Sequence, residues 1–263
     1  MTTLSIGGGS FKGFCFIGAL EYLDSKNYLT LLNEFHGTSI GASIGILYII
    51  GVKPINILKY FLNIDFKNLW DFNITNINTS YSLLSDKIFS HYFINFFKEY
   101  ENIDITITEF IKKYNININI YAVSLNKRTI INFNSEEYKD VKIIDTLKAT
   151  AAIPLLLPPV KIHDDYFVDG CLKSIDGLVY NNNSGYSIRL KQEKININNF
   201  NDYISELFNT TLTSIKPCES NINTLEIIVS NKFKNKINFG DIKNSDIIQL
   251  YYEGLTQAEQ FYK

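Results

Sequence analysis

An α/β fold with a mostly parallel sheet and helices on its faces is the class this sequence predicts, and two observations carry it. Up to Ile50, apolar runs of strand length (Leu4 to Ile6, Leu31 to Phe35) alternate with segments of helical period (Phe11 to Leu23, Ala42 to Ile50), which is the order β, α, β, α. Each strand run also ends in a glycine turn that opens a helix: Gly7-Gly8-Gly9 after the first and Gly37-Thr38-Ser39-Ile40-Gly41 after the second. Short strand-to-helix turns of this kind connect parallel strands.

The remaining elements follow in order. From Lys53 to Tyr100 the chain is rich in aromatic residues, and Phe89, Phe93, Phe96 and Phe97 fall at helical spacing behind Ser82 and Ser85. Most of this segment is expected in the core, with an apolar lid or lipid-facing rim as its functional alternative. Asn117 to Ser124 and Lys127 to Asn134 read as two strands joined by a turn. The alternating Ile and Asn residues there reflect AT-rich codon usage but still make a strand pattern. Val141 to Ala152 reads as a helix that stops before Pro154, because the residue before a proline disfavours helical geometry. Asp165 to Val168, Tyr186 to Leu190 and Leu225 to Ser230 are further strands, Asn181 to Ser184 is a surface turn, and Ile247 to Tyr262 closes the chain as a helix started by Ser245 and Asp246.

With 263 residues, 46% hydrophobic and 20% charged, the chain has enough apolar material for a substantial core. One domain over residues 1–263 is expected. A net charge of -2 offers no general attraction to nucleic acid, and the dispersed lysines make no polybasic membrane anchor. Cys15, Cys171 and Cys218 are odd in number and widely spaced, which argues against a disulfide framework or a metal site. The amino terminus does not read as a signal peptide, and the weakly polar stretch Ile40 to Val52 is too short and glycine-broken to span a bilayer. The expected location is therefore cytoplasmic, with oligomeric state open.

Chemistry concentrates at the two glycine turns. Gly37-Thr38-Ser39-Ile40-Gly41 has the G-x-S-x-G form of a nucleophile elbow, in which a sharp turn presents a serine hydroxyl at the amino end of a helix. A serine needs a base and oxyanion donors. The donors are available in Gly7-Gly8-Gly9-Ser10-Phe11-Lys12-Gly13, a loop that matches neither the Walker nor the dinucleotide pattern. The base is harder to find among histidines: His36 precedes the elbow on its strand and points away, His91 sits in the aromatic segment, and His163 in the turn Lys161 to Asp165 is the one plausible candidate. An α/β-hydrolase triad is disfavoured besides, since Ser39 leaves room for only about two preceding strands.

These motifs resemble those of the patatin-like phospholipases: a glycine-rich loop (Gly8-Gly9-Ser10-Phe11-Lys12-Gly13), a G-T-S-x-G elbow (Gly37 to Gly41), the stretch Ala149-Thr150-Ala151-Ala152-Ile153-Pro154 running to Pro158-Pro159-Val160, and an aspartate motif, Val168-Asp169-Gly170-Cys171. The resemblance implies a three-layer α/β/α fold, with the motif-bearing core at about residues 4–180. It also implies a Ser39-Asp169 dyad needing no metal or cofactor, an oxyanion hole from Gly8, Gly9 and Ser10, and supporting roles for Lys12, Gly13, Gly37, Gly41 and Gly170. The expected activity is a lipid acyl hydrolase of phospholipase A or lysophospholipase type that meets a membrane surface peripherally. A carboxylesterase or triacylglycerol lipase, or a silent lipid-binding protein, are the alternatives. Ser10 stands where the family has glycine, harmless at negative φ and costly at positive φ. Cys171 stands where it has a smaller residue, and Asp176-Gly177 is a second, weaker aspartate candidate.

Overall fold

A computed structural model describes residues 2–173, 185–191, 222–234 and 239–263, with 197, 203 and 206 singly. Asp176, the turn 181–184 and Cys218 lie outside the described residues.

The chain begins β1 (Thr2–Ile6), a single 3₁₀ turn (Ser10–Gly13), α1 (Phe14–Ser25), β2 (Leu32–Thr38) and α2 (Ile40–Ile49). β1, flanked on both edges, buries Leu4 and Ile6 completely, as expected of a strand inside a parallel sheet. The expected helix from Phe11 thus splits, because Ser10–Gly13 winds more tightly before α1 starts.

The aromatic segment forms α3 (Pro54–Leu62), two single helical turns, α4 (Phe66–Leu69) and α5 (Ile77–Ser80), a π-helical stretch (Ile88–Phe93) and α6 (Ile94–Lys98). Phe61, Phe66, Phe93, Phe96 and Phe97 join the core, whereas Phe72 and Tyr81 are exposed. α7 (Ile107–Tyr114) carries a capping box in which Thr106 and Glu109 bond each other's backbone, satisfying donors that a helix start leaves open.

β3 (Asn117–Ser124) runs parallel to β2, and β4 (Thr129–Asn132) folds back on it antiparallel. α8 (Ile143–Thr150) leads to β5 (Val160–Ile162) and β6 (Asp165–Asp169), then come β7 (Gly185–Leu190), β8 (Ile222–Ile227) and a final helix, Asn244–Phe261. That helix starts earlier than Ser245 and Asp246 suggested: Lys243 precedes its first turn, and the Asp246 carboxylate accepts the Lys243 N–H at 3.2 Å.

Among the described residues, eight strands form one mixed sheet in the order β5-β6-β3-β2-β1-β7-β8, with β4 also on β3. From β3 to β8 the neighbours are parallel, and β4, β5 and β6 pair antiparallel. With the flanking helices this is a three-layer α/β/α arrangement. Of the two asparagines in β3, Asn117 is exposed at its start but Asn119 does not face water. Asn119 is buried, donating to the Phe35 carbonyl at 3.3 Å and accepting from Asn132 at 2.7 Å, so its amide is satisfied as burial requires.

Candidate active site

Register explains why the conspicuous residues meet. Ile6 pairs with Gly37 across parallel β1 and β2, so the glycine loop and the elbow leave the same sheet edge side by side. On β3, Tyr121 partners Thr38 and the next residue, Ala122, partners Asp169. β6 runs antiparallel and therefore delivers its last residue to the place where β2 ends.

Ser39 has φ 54° and ψ -133°, a strained conformation that an elbow imposes on its serine. Its hydroxyl donates to Asp169 Oδ2 at 2.7 Å, and both residues are 4% exposed. Burial pushes the Asp169 carboxyl up to about 6, while the Cys171 N–H, donating to Oδ1 at 2.8 Å, and the Ser39 hydroxyl pull less strongly the other way. A carboxylate so raised is a better base near neutrality than an exposed one.

Gly8 lies against this pair: a methyl added there would stand 3.2 Å from Ser39 Cβ and would overlap Cys171 Sγ. The Cys171 side chain therefore occupies space beside the glycine loop. Gly9 is extended, at φ -175°. Ser10 has φ 51°, so the left-handed position of the loop falls on the serine, at a cost of about 1 kcal/mol relative to glycine. Gly13 and Gly170 sit at close approaches to Ile40 and to the Tyr121 carbonyl, and Gly37 packs on Phe35. Lys12 is not a solvated lysine: its Nζ donates to the Lys234 carbonyl at 3.5 Å, and burial lowers its pKa.

The histidines lie elsewhere. His36 is buried with Nδ1 2.9 Å from the Tyr121 hydroxyl and Nε2 3.2 Å from Glu34, a polar network inside the sheet. His163 is exposed in the turn between β5 and β6, stacked on Tyr138. His91 falls in the π-helical stretch. An open groove lined by Arg189, Lys191, Thr224, Glu226, Ile228 and Phe261 includes neither Ser39 nor Asp169. Among the described residues no cluster of three or more His, Cys, Asp or Glu could hold a metal ion.

Sequence reasoning gave no role to one residue that touches the elbow. Thr150, at the end of α8 and 0% exposed, accepts the Ser39 N–H at 2.9 Å and donates to the Tyr121 carbonyl. Its signal was the Ala149-to-Pro154 stretch, noticed as a motif but not as a contact.

A model of the patatin-like phospholipase family matches residues 4–184. The chain belongs to this family. It is 29% identical over 174 residues to the probable lipid hydrolase 463L of Invertebrate iridescent virus 6, covering 64% of this chain and 59% of that protein. It is 25% identical over 230 residues to the uncharacterized protein R571 of Acanthamoeba polyphaga mimivirus, covering 78% and 73%. In fold it is similar to VipD from Legionella pneumophila (TM-score 0.53, 11% identity, 99% of this chain and 67% of that). It is likewise similar to the type III effector ExoU (TM-score 0.55, 12% identity, 99% and 52%). The chain thus spans about three fifths of the iridescent virus protein and about half of ExoU.

Proposed function

We propose that this patatin-like protein hydrolyses fatty acyl esters of phospholipids or lysophospholipids through Ser39 and Asp169, with residues 1–263 acting as one domain. The observation that supports this most is the 2.7 Å hydrogen bond from the Ser39 hydroxyl to a buried carboxylate of raised pKa. In this reading Ser39 Oγ attacks the ester carbonyl while Asp169 takes its proton and then delivers it to the departing alcohol. Water, deprotonated by Asp169, next attacks the acyl-serine, and Asp169 returns that proton to Ser39 Oγ as the fatty acid leaves. The tetrahedral oxyanion is held by N–H groups of Gly8, Gly9 and Ser10 and by the amino end of α2. No step calls for a metal or cofactor.

The test is product analysis on defined phosphatidylcholine vesicles, lysophospholipid, triacylglycerol and a soluble short-chain ester. Fatty acid release from the first two, with a fluorophosphonate probe labelling Ser39, is the expected result. Preference for neutral lipid or the soluble ester favours a lipase or esterase on the same fold. Absence of both labelling and turnover favours a silent lipid-binding protein.

Peripheral contact with a lipid surface belongs to the same reading. Phe72, Ile74, Ile77, Tyr81 and Leu155 are all exposed. The Asn73 N–H donates to the Leu83 carbonyl at 2.8 Å and the Leu83 N–H to the Leu155 carbonyl at 2.7 Å, which ties their segments together. Leu155 lies just after the stretch that touches Ser39, so an apolar surface there meets lipid next to the dyad. Phe72→Asp with Leu155→Asp is expected to weaken sedimentation with phosphatidylcholine vesicles by roughly tenfold or more, leaving hydrolysis of the soluble ester unchanged. Equal losses on vesicles and soluble ester would count against this surface. Among the described residues no helix is long and apolar enough to cross a membrane.

A further inference from the structure

We infer that Thr150 is a positioning residue: its hydroxyl clamps the backbone of Ser39, and the segment Thr150–Ala152 sets the separation between serine and aspartate. This rests on the dyad reading above and adds a residue to it.

The Ser39 amide is buried inside a turn whose dihedral angles are costly, and such a conformation persists only where its surroundings over-determine it. The Ser39 N–H donates to Thr150 Oγ1 at 2.9 Å, and the Thr150 hydroxyl proton goes to the Tyr121 carbonyl. One hydroxyl therefore joins three elements: the elbow, the end of α8 and the middle of β3. Only a group that is donor and acceptor at once can do this, which serine and threonine supply and valine does not. Two residues on, the Ala152 carbonyl accepts the Asp169 N–H at 2.9 Å. The same short segment thus bonds the backbone of both dyad residues, and a shift of it changes the Ser39-to-Asp169 distance directly.

Two consequences follow for the chemistry. With its hydrogen spent on Thr150, the Ser39 N–H is not an oxyanion donor, which leaves that task to the glycine loop and the first amides of α2. Being fully buried, Thr150 does not touch substrate, so its loss acts on kcat and leaves KM alone. Errors of about 1 Å in such a geometry cost on the order of 10²-fold in rate.

The test measures hydrolysis of p-nitrophenyl butyrate by wild type, Thr150→Val, Thr150→Ser, Thr150→Cys and Ser39→Ala, with thermal melts of each. Thr150→Val is expected to lower kcat by about 10- to 100-fold at unchanged KM. Thr150→Ser, which keeps both hydrogen bonds, is expected to restore kcat. Wild-type kcat in a folded Thr150→Val protein overturns the clamp. If Thr150→Val does not fold, the comparison passes to Thr150→Cys, whose thiol is a poor acceptor; equal kcat for the Ser and Cys variants then overturns it. An active Ser39→Ala protein defeats the dyad itself, a different result from either.

Discussion

Asp169→Asn is expected to remove about 10³-fold of kcat and at the same time to make the protein more stable above about pH 6. The two effects share a cause. Asp169 carries its carboxylate at a site only 4% exposed, and its pKa rises from 3.8 to about 6, equivalent to about 3 kcal/mol of preference for the protonated form. A carboxyl whose folded pKa exceeds its unfolded value stabilises the fold fully below about pH 4. That contribution is lost as pH rises through about 6. At neutral pH the folded protein therefore bears the cost of a buried anion, which in the proposed dyad is the base for Ser39. Asparagine keeps an acceptor for the Cys171 N–H, carries no charge and cannot take a proton. Melting curves of both proteins at about pH 4 and about pH 8 test this: the variant gains up to about 3 kcal/mol at the higher pH and nothing at the lower. For wild type, kcat/KM on the soluble ester is expected to climb through about pH 6 and then level. A pH-independent stability difference, or a rate unchanged between about pH 5 and about pH 8, is incompatible with Asp169 as a buried base.

Gly41→Ala is expected to damage fold and activity together. A methyl on Gly41 would press on the carbonyl oxygens of Ile6 and Gly7, both backbone, at the point where the glycine loop and the elbow lie closest. No rotamer change relieves such a contact, so the two turns must separate, at a cost of about 3 kcal/mol. For a chain of this size that corresponds to a fall in Tm of roughly 6–12 °C, and displaced oxyanion donors lower kcat by about 10²-fold or more. Gly51→Ala is the control. Gly51 has φ 95° but no atom within 4 Å of an added methyl, so only backbone strain of about 1–2 kcal/mol enters and kcat should hold. Wild-type melting and rate in Gly41→Ala would mean that the loop and the elbow need not touch.

Much of the site was legible in the sequence because its demands are local. A turn that exposes a serine needs glycines at Gly37 and Gly41, and a loop of converging N–H groups needs Gly8 and Gly9; both requirements are written in neighbouring residues. The scarcity of histidines pointed away from a triad, and His36 and His163 indeed lie in other settings. Other features were not legible, for equally physical reasons. The sign of φ at Ser10 depends on how the loop threads past α2, so composition alone left it open. The aromatic segment's helical spacing was real between Phe93 and Phe97. Periodicity did not reveal that α4 and α5 before it last single turns and that Phe72 and Tyr81 face outward.

The sequence by itself determined the α/β order, the two glycine turns and the identities of the nucleophile and carboxylate candidates. These follow from strand and helix periods and from backbone conformations that only certain residues tolerate. Only the tertiary structure decided that β6 runs antiparallel along β3 and brings Asp169 to the elbow, that this meeting place is dry enough to raise the carboxyl to about 6, and that Thr150 holds the serine's backbone. Ser39, Thr150 and Asp169 are far apart in the chain. Their distances and their shared burial come from strand register and packing, which no local stretch of residues encodes.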